Sequence, residues 1–236
     1  PDVYYRSGVY FQNCQLGVCE SASMLGYNVL ITTSNAHDIS ELQSLVESNR
    51  VDGMLLTRAL EDDRALQYLS QANFPTALTG TCRYDNIIQV DTDNEGAAEK
   101  MTTLLIGKGF RRFAFLVKDM SYNVDRKRHE GFCRALIKNG ISEKDQLFYN
   151  GSIRMEFLDA IIENIISKKV ECIICGDDEI CTMVMSRLQA EGYRIPKDVA
   201  IASLYNSTNL DCYSPAVTAV SVAASQMGGT AVRQQL

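Results

Sequence analysis

Few residues of this chain have the types and spacing that catalysis requires. The two histidines, His37 and His129, fall on separate predicted helices, and the nucleophile motif G-x-S-x-G does not occur in the sequence. A serine–histidine–aspartate site therefore lacks its parts. Gly107 and Gly109 close a predicted helix, whereas the glycines of a dinucleotide fingerprint follow a strand and open a helix. We therefore expect no enzymatic activity and no bound cofactor.

The eight cysteines raise the question of metal binding and of disulfides. Cys172 and Cys175 have the spacing C-x-x-C, but both fall within one predicted strand, where residues three apart point to opposite faces. No second pair completes a set of four ligands, so we predict no metal site. A secreted chain could pair its cysteines, but most of these lie in apolar runs, where a free cysteine behaves as a small hydrophobic residue. The pattern favours reduced thiols in a cytosol.

Polar side chains follow several predicted strands, which is where ligands bind in parallel α/β sheets. Asp177 follows one strand, Tyr205 and Asn206 follow the next, and Arg126 lies near the start of the helix after a third. Arginine, carboxylate and amide groups together suit a ligand with hydroxyls or a small charged ligand. Two alternatives stay open: Arg126 pairs with a surface carboxylate, or Asp177 only caps its helix. The sequence thus predicts a binding site with no catalytic residues.

The elements that position these side chains alternate between strand and helix. Strands are predicted at residues 27–31, 51–56, 75–79, 113–117, 146–149 and 171–175, at a run ending with Val90, and at a run ending near Ser203. Helices are predicted at residues 15–25, 39–48, 62–72, 125–138 and 155–167, after Asn94, and in a stretch that reaches Glu191. This alternation is typical of an α/β protein whose parallel sheet is covered on both faces.

Composition limits the possible partners. The chain has 236 residues, 46% of them apolar and 22% charged, which is ordinary for a globular protein. Its formal net charge is -6, and its only basic cluster, residues 126–128, is too short to follow a phosphate backbone. No apolar run has the length of a membrane span, and no signal peptide opens the chain. We expect neither direct nucleic-acid binding nor membrane insertion.

Several motifs, in order along the chain, resemble the LacI/GalR family of transcriptional regulators. Residues 90–98 read V-D-T-D-N-E-G-A-A, and G-F-R-R-F-A follows the next helix at residues 109–114, with Phe110 at the family's usual histidine position. Residues 192–201, G-Y-R-I-P-K-D-V-A-I, are similar to the family pattern G-x-x-I-P-x-D-V-x-V. Arg126 begins an R-x-x-x-x-G-F motif. The resemblance extends over nearly the whole chain.

The resemblance implies two Rossmann-like parallel-sheet subdomains of the type I periplasmic-binding-protein fold. Residues 1–90 and 221–236 would form the N-terminal subdomain, apparently trimmed at both ends, and residues 91–220 the C-terminal subdomain. The positions that match the family's effector contacts are Arg126, Asp177, Tyr205, Asn206, Tyr10 and Phe11. Tyr10 and Phe11 match aromatic positions that stack on the ligand in the family, and packing in the core is their alternative role.

The function implied by the resemblance is the sensing of a small metabolite in the cytoplasm. A sugar-like effector would bind between the two subdomains of a homodimer and control operator binding allosterically. The helix-turn-helix that contacts operator DNA would lie outside this chain, before Pro1. The alternative is a periplasmic sugar- or solute-binding protein of an ABC transporter, which has the same fold.

Overall fold

The computed structural model describes residues 8–33, 38–151 and 155–236, so His37 lies outside the described residues. The described helices are α1 (Val9–Met24), α2 (Ser40–Glu47), α3 (Arg64–Gln71), α4 (Asn94–Gly107), α5 (Asn123–Lys138), α6 (Met155–Ser167), α7 (Asp178–Ala190), α8 (Thr208–Asp211) and α9 (Ala224–Gln235). The described strands are β1 (Met54–Leu56), β2 (Thr76–Thr79), β3 (Ile88–Val90), β4 (Phe113–Val117), β5 (Leu147–Asn150), β6 (Cys172–Cys175), β7 (Ala200–Ser203) and β8 (Thr218–Ala219).

The chain divides into two compact units. The first comprises Pro1–Thr92 and Ala223–Leu236, and the second Asp93–Val222. The first unit contains a parallel sheet in the order β1-β2-β3, and the second a parallel sheet in the order β5-β4-β6-β7-β8. The predicted α/β architecture with two parallel sheets is therefore confirmed. Every described helix falls short of the length and apolarity that a membrane span requires.

The core of the second unit lies on both faces of its sheet, because β4 and β6 are buried along their whole length. Phe113, Phe115 and Cys172 face one side, where they pack with apolar residues of α4 and α5. Leu116 and Cys175 face the other side and pack with α6 and α7. Cys172 and Cys175 thus point to opposite faces, as the alternation along a strand predicts. This packing leaves the loops at the two ends of the sheet to carry polar groups.

In the first unit, α1 and α9 pack against each other through glycines. A Cβ atom at Gly17 would overlap the backbone of Ser225, and one at Gly228 would overlap the carbonyl oxygen of Cys14. Only glycine permits so close an approach of two helices. The helix α1 begins at Val9, whereas the sequence predicted a start near residue 15, and its first turn also contacts α9 because the hydroxyl of Tyr10 lies 3.8 Å from Sδ of Met227. Packing against α9 outweighs the weak helix propensity of the aromatic residues at its start.

The strand predicted at residues 27–31 is wrong. This segment has no regular secondary structure, and the exposed fractions of Leu30 and Ile31 are 62% and 60%. Its β-branched and apolar residues fit a strand, but a strand needs a hydrogen-bonded neighbour. Within the described residues, no strand pairs with this segment, because the sheet of the first unit ends at β1. The short helix α8 was not predicted at all.

Candidate functional site

Charged side chains gather at the carboxyl edge of the sheet in the second unit. The strands β4, β6 and β7 are adjacent and parallel, so their carboxyl ends meet at one edge. Lys118 and Asp119 directly follow β4, Asp177 follows β6 after one glycine, and Tyr205 follows β7. This edge is the usual ligand position in a parallel α/β sheet. We call the group formed by Lys118, Asp119, Asp125, Arg128, Asp177 and Glu179 the carboxyl-edge cluster.

Asp177 has two roles within this cluster. Its Oδ1 accepts a hydrogen bond of 2.9 Å from the backbone N–H of Ile180, so it is the N-cap of α7, one of the alternatives that the sequence left open. Its Oδ2 lies 2.8 Å from Nζ of Lys118, which also contacts Glu179. Burial alone would lower the pKa of Lys118, but the two carboxylates outweigh it and raise that pKa. The ammonium group is therefore firmly charged.

Asp125 is the most deeply buried acid of the cluster, with 7% of its surface exposed. Its Oδ2 accepts a 3.0 Å hydrogen bond from the backbone N–H of Asp119. Burial raises the pKa of Asp125 to about 6, although Arg128 and that hydrogen bond favour the ionised form. A buried carboxyl group whose ionisation is disfavoured, at the end of a parallel sheet, is typical of a functional site.

Arg128 connects α5 to the end of β6. Its Nη1 donates a 2.7 Å hydrogen bond to the carbonyl oxygen of Gly176, the residue between β6 and Asp177. Because Arg128 also acts electrostatically on Asp125, it links the start of α5 with the loop that holds the N-cap of α7. A ligand that displaced this guanidinium would therefore disturb both the start of α5 and the loop before α7.

The structure brings four of the six predicted site residues into the second unit. Arg126 lies in the first turn of α5, and its Nη2 donates a hydrogen bond to Oδ1 of Asn123. Asn206 donates from its backbone to the carbonyl oxygen of Val220 at 2.7 Å and from Nδ2 to Oδ1 of Asp211 at 2.9 Å. Tyr205 is only 3% exposed and is part of the core. A ligand reaches its ring only after a rearrangement.

Tyr10 and Phe11 belong to the first unit, in the first turn of α1. Their rings pack edge to face, with centroids 5.3 Å apart and an angle of 84°. The hydroxyl of Tyr10 lies 3.8 Å from Sδ of Met227 in α9. Both rings are half-buried. These contacts match the packing role that the sequence left as an alternative, and their role in ligand binding stays a prediction.

Sequence reasoning missed five of the six residues of the carboxyl-edge cluster: Lys118, Asp119, Asp125, Arg128 and Glu179. A usable signal was present, because Lys118 is the first residue after a predicted buried strand, as Asp177 nearly is after another. Asp125 and Arg128 lie within two residues of Arg126, and the turn of the helix decides which of these side chains points toward the edge of the sheet.

Within the described ranges, no group of three histidine, cysteine, aspartate or glutamate residues has the arrangement of a metal site. The eight cysteines are free thiols.

Removing the ammonium group of Lys118 tests how strongly the cluster is coupled to the fold. Lys118→Met is expected to lower the free energy of unfolding by about 1–2 kcal/mol, because it leaves two half-buried carboxylates without their shared cation. Urea unfolding followed by circular dichroism measures this change. Lys100→Met, at an exposed position on α4, removes the same charge and is the control. Equal losses in the two variants would mean that the cluster contributes nothing beyond net charge.

Two parallel α/β units, one of which gathers charged groups at the carboxyl edge of its sheet, have the arrangement that many ligand-binding proteins share. Residues 102–236 match the family model described as a periplasmic binding protein-like domain. The chain belongs to this family, in the branch formed by the effector-binding domains of LacI/GalR transcriptional regulators. The resemblance predicted from the sequence motifs is confirmed.

Named relatives and solved structures agree with this assignment. Catabolite control protein A from Staphylococcus xylosus is 25% identical over 224 residues, which cover 93% of this chain and 67% of that protein. A structure assigned as a LacI transcriptional regulator from Bacillus cereus subsp. cytotoxis is 28% identical, with a TM-score of 0.91, and covers 99% of this chain and 85% of that one. A complex of the regulator CelR with cellobiose is 26% identical, with a TM-score of 0.85, and covers 96% of this chain and 71% of that one.

Proposed function

We propose that this chain is the ligand-sensing and dimerising part of a LacI-type transcriptional regulator that works in the cytoplasm. A small sugar-like metabolite binds at the carboxyl-edge cluster and controls the binding of operator DNA by a separate helix-turn-helix domain. The observation that carries this proposal is the set of buried and half-buried charges at the ends of β4 and β6. The complex of CelR with cellobiose supports the choice of a sugar as ligand.

The chemistry of the cluster suits a ligand with several hydroxyl groups. Each hydroxyl both donates and accepts hydrogen bonds, so it can bind carboxylates such as Asp119 and guanidinium groups such as those of Arg126 and Arg128. Asn206 adds an amide that can both donate and accept hydrogen bonds to a ligand, once its own hydrogen bond to Asp211 is broken. Acids outnumber bases in the cluster, so an anionic ligand such as a sugar acid would be repelled. A neutral saccharide fits this balance better than a phosphorylated or carboxylated one.

Signal transfer would start where the chain passes from one unit to the other. These crossings fall between Thr92 and Asp93 and between Val222 and Ala223. Asp93 is also the N-cap of α4, since its Oδ1 accepts a 2.8 Å hydrogen bond from the backbone N–H of Gly96. A ligand that binds one arrangement of the two units more tightly shifts the population toward it. In a homodimer, that shift would change the spacing of the attached DNA-binding domains.

The relatives favour a regulator over the alternative of a periplasmic transport component. The relative CelR from Thermobifida fusca and the solved CelR complex are both named as transcriptional regulators, and a solved CcpA is named as a transcription regulator. None of the proteins cited above is named as an enzyme or a transport protein. No observation on the described residues favours transport. The regulator is therefore the single function that we propose.

Thermal unfolding in the presence of sugars tests the proposal. A panel of cellobiose, other disaccharides, monosaccharides and sugar acids is screened, and a neutral saccharide is expected to raise the melting temperature by several degrees, because it binds only the folded state. Asp177→Asn keeps the N-cap acceptor but removes the charge, and Arg126→Gln removes the guanidinium. Both variants are expected to lose most of the shift.

The control for this experiment is a pair of charge changes away from the cluster. Asp62→Asn and Arg83→Gln alter an exposed ion pair in the first unit, whose side chains are 86% and 61% exposed. These two variants should keep the ligand-induced shift. A panel in which no neutral saccharide raises the melting temperature contradicts sugar sensing. A shift that survives in both site variants contradicts the carboxyl-edge cluster as its location.

A further inference from the structure

A groove with basic walls lies at the other end of the same sheet, at the amino ends of β5, β4 and β6. Its volume is about 700 Å³, and it is lined by Arg111, Arg112, Gly140, Ile141, Lys144, Asp145, Gln146, Leu147 and Lys168. These residues lie in the connections that precede the three strands, or at the start of β5. The length of the strands, four or five residues at about 3.3 Å each, separates this basic groove from the carboxyl-edge cluster.

The charge of the basic groove is opposite to that of the chain. Four of its nine lining residues are cationic, and Asp145 is its only acid. The whole chain carries 29 acids against 23 lysines and arginines, a net charge of -6. Cations concentrated in one concave site attract anions there, whereas the acidic remainder of the protein repels them. Composition alone gave no sign of this feature, because the four cations come from three separate segments of the sequence.

Part of this positive charge has a structural role. Arg112 pairs with Glu171 at 3.2 Å and donates from Nε to the carbonyl oxygen of Lys169 at 2.8 Å. Arg111 uses Nη1 to cap the end of α4, with bonds of 2.8 Å to the carbonyl oxygens of Ile106 and Phe110. Such contacts also offset the partial negative charge of helix carboxyl ends. They fix both guanidinium groups in place.

The two lysines have no such role. Neither Lys144 nor Lys168 forms a side-chain hydrogen bond or an ion pair with another residue in the described part of the chain, and both are exposed. Asp145, although next in sequence to Lys144, is not paired with either of them. Partly buried apolar side chains, Ile141 and Leu147, line the same space. The basic groove therefore combines two fixed guanidinium groups, two available ammonium groups and an apolar wall.

We propose that this groove binds a small phosphorylated metabolite, at a site separate from that of the effector. A phosphate group carries close to two negative charges and three acceptor oxygens, which match guanidinium and ammonium donors. The apolar wall accommodates the carbon part of such a molecule, and the volume is within the range of small-molecule sites. The regulator would thus bind a neutral saccharide at one edge of the sheet and a phosphorylated compound at the other.

Isothermal titration with ribose 5-phosphate tests this site, with ribose as the uncharged comparison. At low ionic strength, we expect a dissociation constant below about 1 mM for ribose 5-phosphate and no measurable binding of ribose. The double variant Lys144→Gln with Lys168→Gln should weaken binding by about tenfold or more, because two charge-assisted contacts are lost. Because the cations are exposed, binding should also weaken as salt is raised.

The matched control is Lys100→Gln with Lys197→Gln, which removes two exposed lysines outside the groove. This control should retain the affinity of the unmodified chain, since the net charge falls by the same amount in both double variants. Equal weakening in the two variants would mean that only the overall charge matters, and would overturn the proposal. Absence of binding by the unmodified chain at millimolar ribose 5-phosphate would overturn it as well. Neither result depends on whether saccharides bind at the carboxyl-edge cluster.

Discussion

Gly131→Ala is expected to lower the free energy of unfolding of the second unit by about 3 kcal/mol, the upper end of the usual cost of overpacking a core. A Cβ atom at this position in α5 would overlap the carbonyl oxygen of Glu95 in α4, and would lie 3.0 Å from Cβ of Ala98. The obstructing atom is backbone, so it cannot move aside as the end of a long side chain would. The two helices would have to separate.

Gly107→Ala is the control for this experiment. Gly107 is the last residue of α4, and a Cβ atom there meets nothing within 4 Å. Alanine should therefore raise stability by about 0.5–1 kcal/mol, the usual difference in helix propensity between the two residues. Urea unfolding followed by far-ultraviolet circular dichroism compares the variants, because the chain contains no tryptophan for fluorescence. A Gly131→Ala protein as stable as Gly107→Ala would contradict the close packing of α4 on α5.

The helix contact at Gly131 has a consequence for the binding site. Asp125, Arg126 and Arg128 lie one to two turns before Gly131 on α5. Because α4 and α5 pack side by side on one face of the sheet, a larger distance between them would shift these three side chains along the sheet. Glu95, whose carbonyl oxygen Gly131 approaches, lies in the first turn of α4, directly after the crossing between units. Arg134 adds ion pairs from α5 to Glu95 and Glu99. A loosened contact would thus affect ligand binding together with stability.

Hydrophobic patterns in the sequence predicted most of the elements in the second unit. The runs F-A-F-L-V and C-I-I-C at β4 and β6 are apolar throughout, as strands covered on both faces must be. The same reasoning failed at residues 27–31, where the pattern is also largely apolar but no strand of the described residues pairs with the segment. Local sequence reports which conformation a segment prefers. Whether a strand forms depends on its partners, which are distant in sequence.

The candidate site was harder to predict than the sheet. The rule that ligands bind at the carboxyl ends of parallel strands pointed to the loop that holds Asp177, and its role in ligand binding stays a prediction. It could not show that Tyr205 is buried while Asn206, the next residue, is partly exposed. Nor could it show that Lys118 sits between Asp177 and Glu179, because that contact joins residues about sixty positions apart in sequence. Side-chain direction in loops is set by tertiary contacts that a single sequence does not display.

Asp125→Asn is expected to make the protein more stable at neutral pH, by up to about 3 kcal/mol. Burial raises the pKa of Asp125 from 3.8 to about 6 in the folded state, and that difference corresponds to about 3 kcal/mol. Between these two pH values the folded state holds a proton that the unfolded state has released. Stability therefore falls as pH rises from about 4 to about 6, and the loss is complete above that range. Asparagine keeps an acceptor oxygen for the backbone N–H of Asp119 and carries no charge to bury.

Urea unfolding of the two proteins at about pH 4 and about pH 8 measures this difference. The variant and the unmodified chain should differ little at the lower pH, where Asp125 is protonated in the folded state, and by the full amount at the higher pH. Asp52→Asn, at an exposed position in the first unit, controls for the loss of one charge and should change stability by less than about 0.5 kcal/mol. A variant that is destabilised at both pH values would show that the carboxyl group of Asp125 stabilises the fold.

A buried acid that destabilises the free protein at neutral pH has a role only if another state compensates for it. A bound saccharide hydroxyl that donates a hydrogen bond to Asp125 would favour the ionised form. Saccharide affinity should then increase as pH rises through about 6 in the unmodified chain, and remain constant over that range in Asp125→Asn. Affinity that is independent of pH in both proteins would place the ligand away from Asp125. The stability cost and the pH dependence of binding thus have one origin, the burial of a single carboxyl group at the end of the sheet.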